Sequence, residues 1–94
     1  MKSAHLSLPG HDLVRTGLED LACGRESEAA LVVAMAAPRL RALGINVPDG
    51  GGSFPSHRLY ALLSEGGAGA HGRYNALVGR IASFARAAEH AAAG

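Results

Sequence analysis

The side chains with the widest range of chemistry lie in two short segments of this 94-residue chain. The first segment contains His57, Arg58 and Tyr60, and the second contains His71, Arg73, Tyr74 and Asn75. An imidazole can act as a general base, and a guanidinium group can hold a phosphate through paired hydrogen bonds. These are the residue types that a small phosphodiester-acting enzyme would need.

The expected positions of these side chains argue against a single catalytic site. Both segments are predicted to be helical, and the short connection from Ser64 to His71 makes the helices antiparallel neighbours. His57 and Arg58 then lie about two turns from the connection, away from His71 and Arg73. No carboxylate is expected to orient either imidazole. We therefore predict that these four residues form no catalytic site and favour a non-enzymatic protein, with the phosphodiester enzyme as an alternative.

Residues Gly67–Gly72 match the dinucleotide-binding pattern G-x-G-x-x-G. That pattern binds a pyrophosphate when a strand precedes the glycines and a helix follows them. The segment before Gly67 is predicted to be helical, so we expect no nucleotide cofactor. A narrower hypothesis remains, in which the exposed amides at this helix start bind an anion together with His71 and Arg73.

The sequence predicts neither a metal site nor a membrane segment. Its five histidines lack the spacing of metal ligands, and Cys23 is the only cysteine. A single cysteine excludes an internal disulfide and is typical of a reducing compartment. The N-terminal residues lack the hydrophobic core of a signal peptide. We therefore expect a cytoplasmic protein.

The charge distribution raises nucleic-acid binding as another alternative. Residues 1–37 carry a net charge of −2 and residues 38–94 a net charge of +3. The excess of arginine over lysine is also what a GC-rich bacterial genome would produce. A net charge of +1 and only four Phe and Tyr residues are unusual for a nucleic-acid-binding module. The possible basic patch consists of Arg39, Arg41, Arg58, Arg73, Arg80 and Arg86.

Composition and periodicity predict an all-α fold, a small bundle of four helices in one domain spanning residues 1–94. Ala and Leu are abundant and β-branched residues are few, which favours helix. Short Gly/Pro loops separate the helices, and the clearest is Asn46–Ser53. Residues 1–11 are predicted to form an N-terminal arm, and residues 91–94 a frayed tail.

Local signals define the expected helix ends. Asp12 is predicted to cap a first helix that ends before Gly24, and Ser27 to cap the second. Pro38 should kink or restart the second helix, which Gly44 should end. The third helix is predicted over Pro55–Ser64 and the fourth over His71–His90.

Nine consecutive apolar residues, Ala29–Ala37, give the second helix no polar side. The run is too short to cross a bilayer, which needs about 20 apolar residues. Three neighbouring helices would leave one side of it bare, and exposed apolar strips usually mark contact sites. We therefore predict an interaction surface at Leu31, Val32 and Met35. The favoured function is a helical interaction or regulatory module that pairs with itself as a homodimer or serves another protein as an accessory subunit.

Overall fold

The computed structural model describes residues 8–49 and 54–93, and its regular structure in these ranges is entirely helical. The prediction of an all-α bundle is confirmed. The restart expected near Pro38 divides the predicted second helix in two, so the described residues contain five helices. They are α1 (His11–Ala22), α2 (Glu28–Met35), α3 (Ala37–Ala42), α4 (Pro55–Glu65) and α5 (Ala70–Ala93).

Helix α2 is the centre of the bundle. It packs most extensively against α1 and then α4, and it also contacts α3 and α5. Leu31 is 1% exposed and Val32 0% exposed within the single chain. The prediction that these two residues lie on an interaction surface is therefore wrong, because neighbouring helices cover α2 on more sides than expected. Met35, at the end of the helix, stays partly exposed.

Gly17 is the reason that α1 can approach α2 so closely. It is buried in the middle of α1, and a Cβ atom added to it would lie 2.5 Å from the backbone oxygen of Ala29 and would also clash with Val33. Only a residue without a side chain fits at this crossing. The helical periodicity of α1 placed Leu13 and Val14 in the core, where they are found, but gave no indication of this contact.

The break between α2 and α3 lies at Ala36, two residues before Pro38. Pro38 occupies the first turn of α3, where its missing N–H leaves no hydrogen bond unmade. Gly44 ends this helix in a left-handed conformation with φ of +89°. The Gly44 amide donates to the Arg41 carbonyl at 2.9 Å and the Ile45 amide to the Leu40 carbonyl at 3.1 Å. These two hydrogen bonds define a Schellman motif, which confirms the predicted helix end.

The two predicted N-caps have different outcomes. The Ser27 hydroxyl accepts a hydrogen bond from the Ala30 amide at 3.1 Å, so this cap is confirmed. Asp12 does not cap α1, because the helix begins one residue earlier and Gly10 is the N-cap residue, with φ of +80°. Asp12 instead lies in the first turn, where its negative charge is favourable near the positive end of the helix dipole.

The chain ends differ in part from the prediction. Helix α5 continues to Ala93, into the segment that was predicted to fray, and the high helix propensity of the final alanines favours this extension. Residues 1–7 of the predicted arm and residues 50–53 of the predicted loop lie outside the described residues. No helix in the described ranges is both long enough and apolar enough to cross a membrane.

Candidate functional site

Most of the arginines are already engaged by carboxylates of the same chain. Five of the six that were proposed as a basic patch form ion pairs, and Arg86 lies close enough to Glu89 to help lower the pKa of that carboxyl. A phosphate backbone would have to compete with these carboxylates for each guanidinium group. The pairs are Arg39–Glu89, Arg41–Asp49, Arg58–Glu26, Arg73–Glu28 and Arg80–Asp12.

The four residues considered for catalysis have separate partners. Arg58 and Arg73 pair with carboxylates on either side of the Ser27 cap. His57 stacks on a neighbouring phenylalanine ring, and His71 Nε2 lies 3.2 Å from the Asn75 side-chain nitrogen. His71 and Arg73, the two residues of the anion-binding hypothesis, thus already contact other side chains of the chain. An anion at this site would have to compete with Glu28 for Arg73 and with Asn75 for His71. Among the described residues, no group of three or more His, Cys, Asp or Glu side chains could hold a metal ion.

Asp20 joins the end of α1 to the start of α2. It is only 6% exposed, and its carboxylate accepts hydrogen bonds from the Ser27 hydroxyl at 2.5 Å and from Arg25 at 2.6 Å. The Ser27 hydrogen bond, followed by that of Arg25, lowers the pKa of Asp20 against the opposing effect of desolvation. Asp20 thus holds the cap of α2 in place, which is a structural role.

A hollow of about 570 Å³ beside this network is not a good candidate for a charged ligand. Its lining includes Asp20, Glu26 and Glu28, which suggest a cation site when only residue type is considered. Each of these carboxylates already has an arginine partner. The negative charge of the hollow is therefore compensated within the chain.

An apolar groove of about 300 Å³ lies between the α2–α3 break and α5. One wall contains the partly exposed Met35, and the other contains the small side chain of Ala82. At one edge, Arg39 donates two hydrogen bonds to Glu89, at 2.7 and 2.8 Å, which join α3 to the end of α5. We call this feature the α5 groove, lined by Met35, Ala36, Pro38, Arg39, Val78, Ile81, Ala82 and Ala85.

Of the three predicted interaction residues, only Met35 lines the α5 groove. The helical period of the last helix indicates that Val78 and Ala85 lie on its apolar side, but the period does not show that part of this side is open. Ala82 was missed, because alanine fits equally well on a buried or an exposed helix face. The signal that could have found the groove is the small size of Ala36, Ala82 and Ala85, which leaves room between the two helices.

Aromatic side chains form a second exposed feature, on α4 and the start of α5. Phe54 is 72% exposed and stacks on His57, with ring centroids 5.9 Å apart. Tyr60 is 39% exposed and packs against two rings of α5, those of His71 at 6.4 Å and Tyr74 at 5.6 Å. We call these five residues the aromatic face. Sequence analysis grouped Tyr60 and Tyr74 with the neighbouring histidines and arginines but did not connect them with Phe54.

Comparison with known proteins gives no family assignment: no family model, no curated protein and no solved structure matches this chain.

Proposed function

We propose that this protein is a small helical interaction module that functions as a homodimer, pairing through the α5 groove and the adjoining side of α5. The observation that carries this proposal is the groove itself, an apolar depression on a surface where most arginines are ion-paired. An apolar depression at the surface offers a place where apolar side chains of a partner can be buried away from water. Met35 suits such a site, because its unbranched side chain adapts to different partners.

The size of a stable interface indicates that the contact extends beyond the groove. A standard interface buries about 800 Å² on each partner. The described surface measures 5328 Å², of which that area would be about one seventh. Helix α5 provides the necessary length, because its 24 residues extend for about 36 Å.

The residues beside the groove permit close packing of two helices. Gly79 lies three positions before Ala82, so the two are neighbours on the helix surface. A Cβ atom at Gly79 would have nothing within 4 Å, which leaves this side of α5 open. A second copy of α5, related by a two-fold axis, would present the same small residues in return, and two-fold pairing is the commonest form of self-association.

Sedimentation equilibrium across micromolar to millimolar concentrations tests the proposal. We expect the wild type to reach twice the monomer mass. Ala82→Glu should weaken pairing by about tenfold or more, because it places a charge in the apolar contact. The substitution should leave the helix intact, since the new carboxylate lies four residues before Arg86 and forms a favourable pair.

Ala61→Glu, which makes the same change on the exposed side of α4, is the matched control and should dimerise like the wild type. A wild type that stays monomeric at millimolar concentration would refute the proposed function. Equal dimerisation by Ala82→Glu and Ala61→Glu would refute the proposed surface. The proposal also places the protein in the cytoplasm, in keeping with its exposed single cysteine.

A further inference from the structure

We infer that Glu89 determines whether a second copy can cover the α5 groove, because its carboxylate compensates the charge of Arg39 at the edge of that contact. This role rests on the proposed function, since it concerns the same groove and the same pair of copies. Three observations support it: the position of Arg39 in the groove, the geometry of its pair with Glu89, and a second arginine, Arg86, beside the same carboxylate.

Arg39 is the first observation. Among the described residues that line the α5 groove, Arg39 alone is charged. A second copy seated in the groove therefore contacts this side chain and removes water from around its guanidinium group. A guanidinium group that loses water without gaining a partner weakens a contact strongly.

Glu89 supplies the missing partner from within the same chain. The Arg39 Nε and Nη2 atoms donate hydrogen bonds to the two carboxylate oxygens of Glu89, at 2.7 and 2.8 Å. Such paired hydrogen bonds are among the strongest that an arginine makes. They raise the pKa of Arg39 and lower the pKa of Glu89, so both groups are charged at neutral pH and the pair as a whole is neutral.

The exposure of the pair indicates that its effect falls on association more than on folding. Each of the two side chains is 44% exposed in the single chain. An exposed ion pair adds little to the stability of a single chain, because water screens its charges. A second copy would remove part of that water, and the hydrogen bonds between Arg39 and Glu89 would then matter more.

The pair lies within the area that a second copy would cover. Glu89 follows Ala82 by seven residues, or two helical turns, so the two residues lie on the same side of α5 and about 10 Å apart along its axis. A contact of about 800 Å² extends about 16 Å from its centre. A contact centred on Ala82 therefore includes Glu89 and the guanidinium group that it holds.

Arg86 makes the two members of the pair unequal. It lies three residues before Glu89, on the adjacent helical turn, and helps to lower the pKa of that carboxyl. Loss of Glu89 would leave both Arg39 and Arg86 uncompensated. Loss of Arg39 would leave Glu89 with Arg86 beside it. Removing the carboxylate should therefore be the more damaging change, and removing Arg39 as well should relieve the damage.

Sedimentation equilibrium of charge-removing variants of the full chain tests this role. Glu89→Gln should weaken pairing by about tenfold or more, because it leaves a guanidinium group unpaired in the contact. Arg39→Gln should weaken pairing by about threefold or less, since Arg86 stays beside Glu89. The double variant Arg39→Gln/Glu89→Gln should pair within about threefold of the wild type, because no unpaired charge remains in the groove.

Asp12→Asn is the matched control. It removes a carboxylate from another exposed arginine of α5, Arg80, which does not line the groove. This variant should pair like the wild type. Denaturant unfolding at low micromolar concentration should give nearly equal midpoints for the wild type, Glu89→Gln and the double variant, which separates pairing from folding.

The outcomes distinguish this role from the proposed function. A wild type that stays monomeric at millimolar concentration would refute the proposed function itself. If the wild type dimerises, equal pairing by Glu89→Gln would overturn the role of Glu89 and leave the proposed function standing. A double variant as weak as Glu89→Gln would also overturn this role, because the pair would then act by shaping the groove and not by compensating charge.

Discussion

Asp20 shows how much a single side chain contributes to the connection between two helices. It is the one charged residue that is buried within the described part of the chain. Its carboxylate orients Ser27, whose hydroxyl in turn caps α2. The sequence predicted the Ser27 cap but not the carboxylate behind it, because the partner lies seven residues away on another helix.

The lowered pKa of Asp20 predicts that the protein loses stability in acid. The carboxyl binds a proton less readily in the folded state than in the unfolded state, where its pKa is near 3.8. The stabilisation is therefore fully present above about pH 5 and is lost as the pH falls through 4 and below. Denaturant unfolding at several pH values should show a decline in the wild type in this range. The decline should be shallower in Asp20→Asn, and equal slopes in the two proteins would contradict the assignment.

Gly17 leads to a second prediction at the residue scale. Gly17→Ala should destabilise the fold by about 2 kcal/mol, because the added methyl group overpacks the α1–α2 crossing and outweighs the gain in helix propensity. Gly79→Ala is the matched control in dilute solution. That glycine has open space around it, so alanine should stabilise the fold by about 0.5–1 kcal/mol. The account of the crossing fails if both substitutions stabilise the protein.

At the scale of elements, the sequence predicted the break between α2 and α3 and the helix ends at Ser27 and Gly44, but it did not predict the complete burial of Leu31 and Val32 in α2. Pro38, Gly44 and Ser27 act through their own backbone or through residues a few positions away, so their effects can be derived from the sequence. The coverage of α2 depends on how closely the four other helices approach it. That approach depends on Gly17, whose importance appears only once the crossing partner is known.

The helix end at Gly44 yields a prediction for this scale. Gly44→Val should destabilise the protein by about 1 kcal/mol or more, because a β-branched residue is strained at φ of +89°. The space beyond the Cβ position is open, so the loss comes from the backbone conformation alone. Gly44→Asn should cost less, since asparagine tolerates this conformation. Thermal or denaturant unfolding in which the valine variant matches the wild type would be inconsistent with the observed cap.

At the scale of the whole molecule, acidic residues of the first half of the sequence form ion pairs with arginines of the second half. Three pairs connect acidic residues of the first half with arginines of the second, over separations of 32, 45 and 68 residues. The charge difference was visible in the sequence, but these distant partners were not. Four of the six arginines that suggested nucleic-acid binding therefore join separate elements of the bundle, and Arg41 pairs with Asp49 in the segment that follows α3. The α5 groove is lined mainly by apolar side chains, and the aromatic face by aromatic rings.

The central claim is that two copies pair through α5 beside its groove. The most direct test is an isotope-filtered NOE experiment on a mixture of ¹³C-labelled and unlabelled protein at millimolar concentration, which detects only contacts between copies. We predict NOEs between copies at the methyl groups of Val78, Ala82 and Met35. A dimer whose inter-copy NOEs arise from other surfaces, with none at these methyl groups, would contradict the account.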